Sequence, residues 1–85
     1  MEYSENVFVK VIAEFLPNGL CRPVSIIWED GHSYIITKVV DMRPAKSLKV
    51  GRNGIRYTCI IDGHQSYLYK DGDQWYVERK LQKYV

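Results

Sequence analysis

Several residue types that would direct the chain toward other classes of protein are scarce in this sequence. The only alanines are Ala13 and Ala45, and helix-forming residues are otherwise concentrated in the C-terminal tail. There are two cysteines, Cys21 and Cys59, and no apolar run approaches the ~20 residues that a membrane-spanning helix needs. The sequence therefore favours strands over helices and predicts no membrane span.

The charge and the first residues also limit the function classes. Residues 1–6 carry acidic side chains and no apolar core, so we expect no secretory signal, a cytoplasmic location and reduced thiols. The net charge of +2 supports solubility but does not by itself predict a polyanionic partner.

The residues that are abundant favour a small β-sheet domain. Seven Tyr, two Trp and two Phe accompany many Val and Ile, and such side chains pack well on a pleated surface. At 85 residues the chain is long enough for one domain and too short for two.

Three Asp-Gly pairs divide the sequence into short strands. Asp30-Gly31, Asp62-Gly63 and Asp71-Gly72 each lie between strand-forming residues, and Asp-Gly is a strong signal for a two-residue hairpin turn. We predict a flexible N-terminus over residues 1–6 and a single domain over residues 7–85. Its strands are predicted at Val7–Leu16, Val24–Trp28, His32–Met42, Gly54–Ile61, His64–Lys70 and Trp75–Glu78. A loop is predicted over Arg43–Asn53, and the spacing of Val77, Leu81 and Tyr84 allows a short C-terminal helical turn.

Two-residue turns fix the register of the paired strands and therefore their faces. Around Asp62-Gly63 they pair Ile61 with His64, Cys59 with Ser66 and Tyr57 with Leu68. Around Asp71-Gly72 they pair Leu68 with Trp75 and Ser66 with Val77. The predicted core face carries Ile55, Tyr57, Cys59, Ile61, Leu68, Trp75 and Val77, and the opposite face carries Arg56, Thr58, Ile60, Tyr67, Tyr69 and Tyr76.

A two-residue turn at Asp30-Gly31 is predicted to place apolar residues on both faces of the first long hairpin. Val24, Ile26 and Trp28 are predicted to share a face with Ile35, Thr37 and Val39, while Ile27 shares the other with Tyr34, Ile36 and Val40. Five or six short antiparallel strands, one of them long and curled, predict an all-β fold. We expect a small closed or half-open SH3-like barrel, which removes exposed strand edges.

A few of these residues also form a family-like pattern. Trp28-x-Asp30-Gly31-x-x-Tyr34-x-Ile36, a later Arg56-Tyr57 and a closing Trp75-Tyr76-Val77-Glu78 resemble uncharacterised small bacterial β-barrel domains. One such domain is attached to proteins that resemble translesion DNA polymerases. The resemblance implies a compact β-domain and a nucleic-acid-associated context. The chain departs from it at Arg43-Pro44-Ala45-Lys46, where those domains carry a tryptophan-rich stretch.

Two surfaces are candidates for binding. The first is the face with Arg56, Tyr67, Tyr69 and Tyr76, because Tyr and Arg are enriched in protein interfaces. Tyrosine is also a good outward-facing strand residue without any partner. The second candidate is a basic stretch, where cations beside exposed tyrosines would suit single-stranded nucleic acid. Its residues are Arg43, Lys46, Lys49, Arg52 and Arg56, and the alternative is a solvated loop that maintains solubility.

The sequence gives no pattern typical of catalysis or of a cofactor. Cys21, Cys59, His32 and His64 lack the close pairs of a structural zinc site, so we expect no metal. No nucleophile motif or phosphate loop is present. We therefore predict a non-catalytic module that binds a protein partner or a second copy of itself, with nucleic-acid binding as the alternative.

Overall fold

The computed structural model describes residues 2–46 and 53–82, and all the regular structure in them is β-strand. The strands are β1 (Glu2–Phe15), β2 (Cys21–Ile27), β3 (Ser33–Lys46), β4 (Asn53–Ile61), β5 (His64–Asp71) and β6 (Gln74–Gln82). Among the described residues there is no helix that could cross a membrane.

The strands form a closed antiparallel barrel in chain order. Each pairs with the next, and β1 closes the barrel by pairing with β6 through Glu2–Val9 before it pairs with β2 through Lys10–Phe15. The prediction of a small all-β barrel is confirmed, and the architecture is consistent with the SH3-like type. β1 begins at Glu2 rather than at Val7, so residues 2–6 belong to the sheet.

The first two hairpins use the same three-residue loop. Leu16 N–H donates to Leu20 C=O and Trp28 N–H donates to His32 C=O, both at 2.8 Å. Each loop ends in a glycine with positive φ, 85° at Gly19 and 91° at Gly31. This is a turn followed by a left-handed residue, a common three-residue hairpin loop.

The predicted faces of the first long hairpin are wrong, because the loop at Asp30-Gly31 has three residues rather than two. The structure pairs Ser25 with Ile35 and Ile26 with Tyr34, one residue away from the predicted register. A one-residue slip exchanges the faces of a strand. Ile35 is consequently 67% exposed instead of sharing a face with Ile26.

The other two Asp-Gly pairs form turns of different kinds. Asp62 and Gly63 have φ values of 51° and 74°, as a type I′ turn requires, and the predicted register of β4 with β5 is confirmed. At the third turn Asp71 pairs with Gln74, so the central residues are Gly72 and Asp73.

The pairings predicted around the third turn are therefore wrong. Trp75 lies opposite Lys70 rather than Leu68, and Ser66 is not paired with Val77 in the described ladder. Because Lys70 and Leu68 are two residues apart on one strand, they share a face, and the predicted core face is retained.

The predicted loop and helical turn are also corrected. β3 continues to Lys46 and β4 begins at Asn53, so residues 43–46 and 53 of the predicted Arg43–Asn53 loop are paired strand, and residues 47–52 lie outside the described residues. β6 continues to Gln82, which replaces the allowed helical turn from Val77, and residues 83–85 lie outside the described residues. β3 remains one element with register shifts at Thr37 and Val40.

The core lies inside the barrel and is aromatic and aliphatic. Its buried members are Ile26, Ile36, Tyr57, Cys59 and Leu68, with Val9, Val11, Val39, Ile55, Ile61, Trp75 and Val77 packed against them. The Cys59 thiol is free and fully buried, and desolvation raises its pKa to about 11. The Tyr57 hydroxyl donates to the Cys21 carbonyl oxygen at 2.7 Å, which satisfies the polar end of a buried ring.

We expect Gly63→Ala to destabilise the domain by about 1–2 kcal/mol, because an L-residue with a Cβ is strained at a positive φ. No atom within 4 Å would meet the added Cβ, so the effect isolates backbone strain. Denaturant unfolding measures it, with Asp62→Asn as a control that should be nearly neutral because Asn tolerates the left-handed region. Equal stability of Gly63→Ala and the unsubstituted protein would contradict the turn assignment.

Candidate interaction surface

One row of side chains crosses the outer face of four neighbouring strands. Phe8 on β1 lies opposite Tyr76 on β6, Tyr76 opposite Tyr69 on β5, and Tyr69 opposite Arg56 on β4. Tyr67 lies two residues from Tyr69 on the same face of β5. We call these five residues, Phe8, Arg56, Tyr67, Tyr69 and Tyr76, the aromatic face.

The rings of this row pack on one another. Tyr69 and Tyr76 are stacked, with centroids 4.9 Å apart and planes 5° apart, and Phe8 meets Tyr76 edge-on at 5.9 Å. Tyr76 is only 5% exposed, although it points away from the barrel core. It therefore forms the floor of the face and presents little surface of its own, whereas Phe8 is 54% exposed.

Arg56 is held by the same face. Its guanidinium carbon lies 4.5 Å from the centroid of the Tyr67 ring, which is a cation–π contact. The Arg56 Nε is buried and has no hydrogen-bond partner among the described residues. Tyr67 itself is 45% exposed, so its ring and the guanidinium over it lie at a solvent-exposed edge of the aromatic face.

Burial and a neighbouring carboxylate perturb the tyrosines of the face. Desolvation, followed by a hydrogen bond and charge repulsion from Glu78, raises the pKa of Tyr69 to about 12, while Arg56 opposes the shift. Desolvation also raises the pKa of Tyr76. Both shifts keep the phenols neutral to a higher pH than that of an exposed tyrosine.

The basic residues predicted as a nucleic-acid site are only partly brought together. Arg43 lies directly opposite Arg56, beside the aromatic face, and its Nε is 2.7 Å from an Asp41 carboxylate oxygen. Lys46 is exposed, and strand alternation puts it on the opposite face from Arg43. Lys49 and Arg52 lie outside the described residues.

Phe8 was not predicted to belong to this surface. It joins the face only through the pairing of β1 with β6, which are far apart in the sequence. The alternation of Asn6, Phe8 and Lys10 on β1 could have indicated an outward aromatic residue, but not its neighbour.

The His, Cys, Asp and Glu side chains of the described residues lie singly or in pairs. This part of the chain contains no group of three or more His, Cys, Asp or Glu side chains placed to hold a metal ion. The Nδ1 of His32 lies 2.8 Å from an Asp30 carboxylate oxygen in an exposed contact, and hydrogen bonds from the His32 backbone N–H and then its side chain lower the pKa of Asp30. These contacts stabilise the hairpin loop.

A shallow depression of about 360 Å³ adjoins the aromatic face where β1 leaves β6. Its lining consists of Phe8, Val9, Lys10, Val11, Asp73, Gln74 and Trp75. It is open to solvent.

Comparison of the chain with protein-family models, curated proteins and solved structures finds no match. The resemblance to small bacterial β-barrel domains therefore stays a prediction.

We expect Glu78→Gln to lower the pKa of Tyr69 and Arg56→Gln to raise it, because the two charges act on the phenol in opposite directions. NMR titration of isotope-labelled tyrosine measures both, with Tyr69→Phe identifying the resonance. Unchanged titration in both variants would contradict the described arrangement.

The same pKa shift predicts a loss of stability in alkali. The folded-state pKa of Tyr69, about 12, lies above the value of 10.0 for an unperturbed tyrosine, so the stability that protonated Tyr69 contributes is complete below about pH 10 and is lost as the pH rises toward 12. Tyr69→Phe should lack this part of the alkaline loss, as measured by denaturant unfolding across that range.

Proposed function

We propose that this domain is a non-catalytic protein-binding module, located in the cytoplasm, whose contact surface is the aromatic face. The observation that carries the proposal is the ordered packing of Phe8, Tyr76 and Tyr69 outside the barrel, with Arg56 held over Tyr67. Large aromatic and Arg side chains supply most of the energy in protein interfaces.

The packing of the face supports binding because it lowers the entropy that a partner must remove. Immobilising a rotamer-rich side chain at an interface costs about 0.5–1.5 kcal/mol. Tyr69 is already stacked and Arg56 is already placed over a ring, so much of that cost falls on folding. Exposed Phe8 and Tyr67 then offer apolar area at either end of the face.

Nucleic-acid binding is the second candidate, and one observation favours it. Arg43 and Arg56 lie side by side next to the tyrosines, which would place cations beside rings. Two observations weigh against it. Asp41 pairs with Arg43. One ring face of Tyr69 is covered by Tyr76, and one ring face of Tyr67 is covered by Arg56. The second of these leaves fewer ring faces on which bases could stack.

A selection of random linear peptides displayed on phage, followed by fluorescence anisotropy of the selected peptides, tests the first candidate. We expect peptides that bind the unsubstituted domain and bind Tyr67→Ala and Phe8→Ala about tenfold or more weakly, since interface hot spots are worth 2 kcal/mol or more.

The matched control is Tyr34→Ala, which removes a tyrosine of comparable exposure, 38% against 45% for Tyr67, on a strand outside the face. It should leave affinity unchanged. Circular dichroism confirms that each variant is folded. Equal losses in all three variants, or in none, would remove the aromatic face as the contact surface.

Anisotropy of labelled single-stranded and duplex oligonucleotides at about 50 and 200 mM salt tests the second candidate. Binding through about five phosphates would weaken by roughly two orders of magnitude across that range. Under the protein-binding proposal we expect no such signal. Salt-sensitive binding that Arg43→Gln reduces would favour nucleic acid instead.

A further inference from the structure

β5 is paired on both sides only near its C-terminal end. β4 pairs with all of it, from His64 to Asp71, whereas β6 pairs only with Tyr69–Asp71. Beyond Tyr76, β6 continues as the partner of β1 alone. Within the described strands, the His64–Leu68 stretch therefore has one strand neighbour and one open edge.

The open edge is accessible to solvent. His64, Gln65, Ser66 and Tyr67 are all exposed. Ser66 lies opposite fully buried Cys59 on the core side of the sheet and is nevertheless exposed. No described part of the chain covers this end of β5.

The turn that precedes β5 determines which backbone groups face outward. In a two-residue type I′ hairpin the flanking residues, here Ile61 and His64, exchange both of their backbone hydrogen bonds. Alternation then directs the backbone groups of Ser66 and Leu68 toward β4, and those of Gln65 and Tyr67 away from it. The edge thus offers two N–H donors and two C=O acceptors at the spacing of a β-ladder.

Other one-sided stretches of the described strands carry features that discourage pairing. β2 has Arg22 and Pro23, and β6 has Glu78 and Arg79. β3 has Pro44, charged side chains and register shifts. The β1 run that pairs with β6 contains Glu2 and Glu5, and the run that pairs with β2 contains Lys10 and Glu14. Of the one-sided runs longer than a single residue, only His64–Leu68 and the shorter Ser33–Ile35 contain no Lys, Arg, Asp, Glu or Pro.

We propose that this edge of β5 takes up an extended segment of another protein as an added strand. The inference rests on the proposed protein-binding function and specifies how the partner is held. An extended polypeptide is the ligand whose backbone matches the donors and acceptors of Gln65 and Tyr67. A strand added there lies beside the aromatic face and places alternate side chains next to Tyr67, where the guanidinium of Arg56 already lies over the ring.

The chemistry of the bound segment follows from that position. Its residue opposite Tyr67 meets the ring over which the Arg56 guanidinium lies, and Glu78 interacts with the neighbouring Tyr69. A neutral aromatic or β-branched side chain suits this place, because such residues make the favourable cross-strand pairs with Tyr. The partner is therefore an extended, locally uncharged peptide with β-forming residues at alternate positions.

The test uses the peptides selected on the unsubstituted domain and the variant Gln65→Pro. Proline is tolerated on an edge strand where the N–H faces outward, so this change removes one outward donor and leaves the bonds to β4 in place. We expect it to weaken peptide binding about tenfold or more, since it removes a backbone hydrogen bond and adds a ring at the edge. Gln65→Ala is the matched control and should bind as tightly as the unsubstituted domain.

A second measurement does not depend on the folding of any variant. Peptides methylated at single backbone nitrogens should lose affinity at alternate positions only, because an added strand directs every second N–H toward its neighbour. Losses without this alternation would overturn the proposal.

The remaining outcomes separate this inference from the proposed function. If the peptides bind more weakly to Tyr67→Ala but bind normally to folded Gln65→Pro, strand addition is overturned and the protein-binding proposal stands. Failure to select any peptide, together with salt-sensitive binding of oligonucleotides, would overturn both. If the domain self-associates and Gln65→Pro abolishes that self-association, the proposal of a foreign segment is overturned, because the edge then binds a second copy of the chain.

Discussion

The antiparallel ladder between β1 and β6 is the interaction on which the rest of the structure depends. It joins Glu2–Val9 to Trp75–Gln82 and closes the barrel. Without it, Val7 would lose its cross-strand partner Val77, and Val9 would lose its cross-strand partner Trp75. The aromatic face depends on the same ladder, because Phe8 reaches Tyr76 only across it.

The tyrosines of this domain lie in three different environments. Tyr57 is in the core with its hydroxyl bonded to a carbonyl, whereas Tyr76 is buried on the outside by Tyr69 and Phe8. A cross-strand aromatic pair contributes roughly 0.2–1 kcal/mol without any ligand. Tyr67 has an exposed ring that carries a cation, so it is the tyrosine of this face whose surface remains most available to a partner.

Much of the fold was predictable because turn chemistry is local, and the errors arose where the same dipeptide suits several turns. Asp-Gly predicts a type I′ turn at Asp62-Gly63, but Asp30-Gly31 belongs to a longer loop and Asp71-Gly72 is followed by a second aspartate that shifts the turn by one residue.

The candidate site was also predictable only in part. Arg56, Tyr67 and Tyr69 follow from one hairpin, whereas Phe8 depends on a pairing between distant strands that no local pattern specifies. The proximity of Arg43 to Arg56 required the continuation of β3 through a segment predicted as a loop.

The closing ladder also sets the order in which the surface is assembled. Hairpins such as β4–β5 close short loops, whereas β1 and β6 must meet across most of the chain, and the entropy cost of closing a loop grows with its length. Non-local pairings of this kind are also the slow steps in folding. The pair of Tyr69 and Arg56 forms with the local hairpin, but the Phe8 end of the face is completed only when the last strand is in place. A chain arrested before β6 would therefore expose Tyr67 and Arg56 without Tyr76 packed beside Tyr69. A partner that requires the complete aromatic face would consequently bind only the closed barrel.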